Sequence, residues 1–123
     1  MITGRVSPDG REAVVALDVL GREGRGQRIE AVIDTGFTGY LTLPGDAAAS
    51  LGLPERGSET FMLADGSETI LPVYRGGVLW HGRELRIPVS QANGGALVGM
   101  SLLRGSRLTV NAEPGGDVRI EEL

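Results

Sequence analysis

One stretch of the chain puts a reactive side chain where chemistry can use it. Ala31-Val32-Ile33 is an apolar, β-branched run that stops on Asp34-Thr35-Gly36, and a second run, Tyr40-Leu41-Thr42-Leu43-Pro44, starts soon after. The order reads as strand, tight loop, strand, with one carboxylate on the loop. A carboxylate at the mouth of two buried strands is costly unless something there uses it. Asp34 is therefore the candidate centre, and carboxylate acid–base catalysis the candidate chemistry.

Other chemistries lack their parts. The single histidine, His81, falls in His81-Gly82-Arg83-Glu84, which reads as a hairpin turn. No serine has an elbow-type setting, so a serine triad is not expected and His81 is expected to be solvated. One histidine and scattered acids give no metal-ligand spacing, and without cysteine there is no thiolate nucleophile, disulfide or zinc–thiolate site. No metal and no cofactor is expected. The glycines of Gly21-Arg22-Glu23-Gly24-Arg25-Gly26 precede no helix and no Gly-Lys-Ser/Thr, so they read as a surface turn and not as a phosphate cradle. Five dispersed aromatics and a net charge of −4 argue against nucleic acid or an anionic membrane as a partner. No run is long and apolar enough to span a bilayer. Met1-Ile2-Thr3-Gly4-Arg5 has no apolar h-region, so a cytoplasmic protein is expected.

The elements that must position Asp34 are mostly strands. The chain has 123 residues and 20 glycines, which suits one domain, residues 1–123, of short strands and many turns. Ala13–Leu20 and Arg28–Ile33 read as a hairpin that delivers Asp34. Asp46–Leu51 is the best helix candidate, with Asp46 as its N-cap and Gly52 as its stop. Thr60–Ala64 and Thr69–Tyr74 flank Asp65-Gly66-Ser67, a turn signal, and read as a second hairpin with a small, flexible tip. Gly76–Trp80 and Leu85–Val89 read as a third hairpin. After a turn at Asn93-Gly94-Gly95, a strand runs into Gly99, followed by one helical turn. Leu108–Asn111 and Val118–Ile120 form the last hairpin.

Taken together, Val32-Ile33-Asp34-Thr35-Gly36 and Leu97-Val98-Gly99-Met100-Ser101-Leu102-Leu103 resemble the paired signatures of the aspartic proteases. The first resembles the active-site strand and loop, the second the apolar-apolar-glycine element and short helix of that family. Order, spacing and length are similar to the single-domain, retropepsin-like form over nearly the whole chain, and closest to its small bacterial and archaeal members. The resemblance implies an all-β acid-protease barrel with one or two short helices and one lobe per chain. It also implies a flap at Phe61–Tyr74.

Peptide hydrolysis of this type needs one carboxylate as base toward a water and another as acid toward the carbonyl oxygen. The chain carries only one Asp-Thr-Gly, so the resemblance implies a symmetric homodimer with two copies of Asp34 on the two-fold axis, acting on a polypeptide. Two unit charges about 3 Å apart at an effective dielectric of about 20 repel by roughly 5–6 kcal/mol, so such a pair holds one proton and titrates as a unit. Thr35 is implied to hydrogen-bond across the two-fold, and Gly36 to present its carbonyl to substrate. Candidate substrate contacts are Phe37, Leu63, Asp65, Gly66, Leu97 and Gly99, with Met62, Ile70 and Leu71 as further apolar walls. Phe37 stands where viral enzymes have alanine, and Thr38, Gly39 and Met100 replace their conserved ion pair, so those contacts do not transfer. A non-catalytic barrel that keeps the fold as a dimerisation or interaction module is the alternative, and a ligand-binding β-barrel a third reading.

Overall fold

A computed structural model describes all residues, Met1–Leu123. Ten strands follow one another along the chain: β1 (Ile2–Val6), β2 (Ala13–Leu20), β3 (Gly26–Ile33), β4 (Leu41–Pro44), β5 (Glu55–Met62), β6 (Glu68–Trp80), β7 (Arg83–Ala92), β8 (Ala96–Val98), β9 (Ser106–Val110) and β10 (Asp117–Glu122). Two short helices, α1 (Gly45–Ser50) and α2 (Met100–Leu103), follow β4 and β8. No helix is long and apolar enough to cross a membrane.

The strands form one sheet in the order β5-β6-β7-β4-β8-β3-β2-β1-β10-β9, and a further pairing of β6 with β2 closes six of them into a barrel. Alternation explains the inward face of β2, where Val15, Leu17 and Val19 are buried while their neighbours are half-buried. Strand β4 departs from that period, with Leu41, Thr42 and Leu43 all buried. It lies between β7, to which it is parallel, and β8, to which it is antiparallel, so both its edges are paired, and the burial of successive side chains shows that both its faces are covered as well. These leucines join Val89, Val98, Val118 and Ile120 in one core cluster of 20 residues.

The all-β barrel with two short helices is as expected, but several elements differ in detail. The stretches expected as separate strands at Thr69–Tyr74 and Gly76–Trp80 are one strand, β6, of 13 residues. Its first half pairs with β5 in the projecting hairpin and its second half with β7 in the barrel wall. Gly76 and Gly77 do not break it, because both are buried where a side chain would press on Val89 or Leu20. Helix α1 begins at Gly45 and is preceded by Pro44, with no side-chain cap, so Asp46 sits in its first turn and does not cap it. Gly52, at φ +64°, does end it. Strand β1 was not expected, since Ile2–Val6 alternates only weakly. It forms because it is covered on both edges, by β2 and by β10.

His81 is not simply solvated. It is half-buried in the β6–β7 turn, its Nε2 lies 2.8 Å from the Ser106 hydroxyl on β9, and its ring stands edge-on to Trp80. Beside it an Arg83–Glu122 ion pair ties the same turn to β10. The Arg83 hydrogen bond holds the Glu122 carboxyl below its ordinary range. Both side chains are exposed to solvent, so the pair contributes little to stability.

Candidate active site

Asp34 is positioned by the way the chain winds around β8. Strand β3 runs parallel to one side of β8, the chain loops over residues 34–40, and β4 returns antiparallel on the other side. The Asp34 N–H continues the β3–β8 ladder by donating to the Val98 carbonyl at 2.9 Å. The Asp34 carbonyl then accepts the Phe37 N–H at 3.1 Å, which closes the turn. Its carboxylate oxygen Oδ1 accepts the Gly36 N–H at 2.9 Å, so one oxygen is fixed by the loop's own backbone. Asp34 is half-buried, whereas Thr35 and Gly36 are exposed.

Helix α2 clamps the rest of the loop. The Gly99, Met100 and Ser101 N–H groups donate to the carbonyls of Tyr40, Phe37 and Gly39 at 3.0, 2.8 and 3.1 Å. The Ser101 hydroxyl adds a bond to the Thr38 carbonyl at 2.5 Å. Below, the buried Thr42 hydroxyl accepts the Leu97 N–H at 2.9 Å. Gly99 is where the two segments come closest: a Cβ there would lie 2.2 Å from the Gly39 carbonyl oxygen, so only glycine fits without moving the loop. The Asp34 loop and the Leu97–Leu103 segment, paired by sequence alone, are thus in direct contact.

The hairpin of β5 and β6 reaches the same region through an aromatic pair. The rings of Phe37 and Phe61 lie 6.3 Å apart, tilted by 51°. At the tip, the Leu63 N–H donates to the Ser67 carbonyl at 2.7 Å and Gly66 takes φ +85°. Asp65 accepts both the Ser67 hydroxyl, at 2.5 Å, and its N–H, at 2.9 Å. Those two bonds hold the Asp65 carboxyl below its ordinary value. Met62, Leu63 and Ile70 are exposed around this turn. Leu97 is half-buried, and Gly99 is buried beneath the loop.

Thr42 and Ser101 were not among the expected site residues. Thr42 had a legible signal: a hydroxyl between two core leucines needs a buried partner. Ser101 had none beyond its place after Gly99-Met100. Two concavities of the chain, of about 470 and 400 Å³, lie over β1–β10 and between the residue 21–23 turn and β6–β7, away from Asp34.

Comparison with solved structures places this fold. The chain superposes on a retropepsin-like aspartic protease from Rickettsia conorii with a TM-score of 0.57 and 19% identity, over 99% of this chain and 90% of that one. It also matches the simian foamy virus (mac) protease, with a TM-score of 0.48 and 19% identity over 72% of this chain and 90% of that one. No family model and no curated protein matches the chain. The architecture is that of a retropepsin-like single lobe, and the Asp34 loop sits where β3, β4, β8 and α2 of that lobe converge.

Proposed function

We propose that the chain is an aspartic endopeptidase that works as a homodimer. Two copies of Asp34 form the dyad: one carboxylate takes a proton from a water as that water attacks the peptide carbonyl, and the other gives its proton to the carbonyl oxygen. The observation that carries this reading is the presentation of Asp34. One oxygen is fixed by the Gly36 N–H, the loop is locked to β8 and α2, and the adjoining Thr35 and Gly36 face outward. One carboxylate supplies half of the machinery, and an open, exposed loop leaves a second copy room to supply the other half. Thr35 is the residue to bridge the two loops, and the β5–β6 hairpin is the flap that covers a polypeptide substrate. A chain without cysteine suits the reducing cytoplasm, where we place it.

The test is cleavage of a diverse peptide mixture followed by mass spectrometry, with Asp34→Asn as the comparison. Wild type is expected to cut, and the variant to lose about 10²–10⁴-fold or more of the rate while keeping its circular dichroism and thermal transition. Equal cleavage by Asp34→Asn would overturn the Asp34 dyad, and none by wild type at any pH would favour the non-catalytic interaction module.

A further inference from the structure

Phe37 lies three residues after the carboxylate and has an unusual seat. Its ring rests on two glycines: a Cβ added to Gly39 would lie 2.5 Å from the ring's Cζ, and one added to Gly99 would lie 2.6 Å from its Cδ2. The ring therefore occupies the volume that side chains at those positions would otherwise fill. From the hairpin side Phe61 closes on it, at a centroid distance of 6.3 Å that is ordinary for a favourable aromatic pair. Loop, the start of helix α2 and hairpin thus converge on one ring, and aromatic carbon bridges the Asp34 loop and the hairpin.

We infer that the Phe37–Phe61 pair is a size filter that admits only polypeptides with small side chains, glycine, alanine or serine, beside the scissile bond. This rests on the peptidase reading above. A substrate held between the Asp34 loop and the hairpin has to pass these rings. A bulky side chain there can enter only by driving Phe37 off its glycine floor or parting it from Phe61, and close-packed surroundings resist such overfilling. A homodimer carries one such seat on each side of the dyad. The restriction therefore falls at related positions on both sides of the cleaved bond.

The experiment is cleavage-site profiling on a peptide library randomised at two positions on each side of the scissile bond, using wild type, Phe37→Ala and Phe61→Ala. Wild type is expected to cut only where small residues occupy related positions on both sides. Phe37→Ala should raise the rate for leucine or phenylalanine there about 10–200-fold relative to alanine, the discrimination a hydrophobic pocket usually provides. Phe61→Ala should relax the same positions and no others. A wild-type profile that tolerates bulky residues at every position, or one that neither substitution changes, overturns the size filter and leaves the peptidase intact. Absence of cleavage by wild type overturns the peptidase reading and the filter with it. Thermal melts of the variants check folding, and Phe37→Leu supplies the same comparison if removal of the whole ring unfolds the loop.

Discussion

Asp34 and Asp65 make the same local bond and differ in what surrounds them. Each accepts the N–H of the residue two positions on, at 2.9 Å. Asp34 is half-buried on a loop clamped by α2, whereas Asp65 is exposed at a hairpin tip and gains a second bond from the Ser67 hydroxyl. That bond is the main cause of the lowered Asp65 value, followed by the Ser67 N–H. A depressed folded-state value means that the turn gains stability from the ionised carboxyl above its ordinary value of 3.8, and loses it as pH falls through the lowered one. Ser67→Ala should therefore raise the Asp65 value toward the ordinary one in an NMR titration, and speed exchange of the Ser67 amide above that pH. An unchanged titration would show that the hydroxyl bond does not hold the tip. Thr42 is the opposite case, a buried hydroxyl with a structural partner. Thr42→Val keeps shape but orphans the Leu97 N–H, and should cost about 1–3 kcal/mol in chemical denaturation, with Thr42→Ser recovering most of it. Equal stability of Thr42→Val and wild type would mean that β8 finds another acceptor.

At the scale of elements, what the sequence made legible follows from how local its causes are. The strand–loop–strand around Asp34 could be read directly, because Val32-Ile33 ends on residues that cannot continue a buried strand. The Asp65-Gly66-Ser67 turn was equally clear, and the structure fills in its hydrogen bonds. Strand β6 was read as two because Arg75-Gly76-Gly77 looks like a break. The reason it continues is tertiary: Val89 and Leu20 occupy the sites where side chains would stand. Strand β1 and the start of α1 were missed for a related reason. The first is stabilised by its neighbours β2 and β10, and the second starts without the side-chain cap that Asp46 advertised. The His81–Ser106 contact joins residues 25 positions apart through the β9–β10 hairpin, and nothing local announces it. For the candidate site, the residues that carry reactive groups were visible. The residues that hold the loop act through long-range bonds and were less so: Thr42 signalled only that its hydroxyl needs a partner, and Ser101 gave no signal of its own.

At the scale of the molecule, the sheet topology limits how two copies can meet. Strand β1 is paired on both edges and β10 lies between β1 and β9, so an exchange of N-terminal strands would sacrifice an existing ladder. The unpaired edges are those of β5 and β9. A shared dyad requires the two-fold axis to run past the exposed face of the loop at Thr35 and Gly36. If each site draws one Asp34 from each copy, an inactive chain will poison an active one. Wild type mixed with excess Asp34→Asn and left to exchange should lose activity as mixed pairs form. At about a ninefold excess, roughly a tenth of the wild-type chains remain paired with wild type, and cleavage per wild-type chain should fall about tenfold. Dilution of wild type alone should lower its specific activity in the same way, and a bound peptide should restore the dimer by mass action. Activity that tracks the amount of wild-type chain regardless of the variant added would show that one Asp34 suffices, and the shared dyad would be wrong.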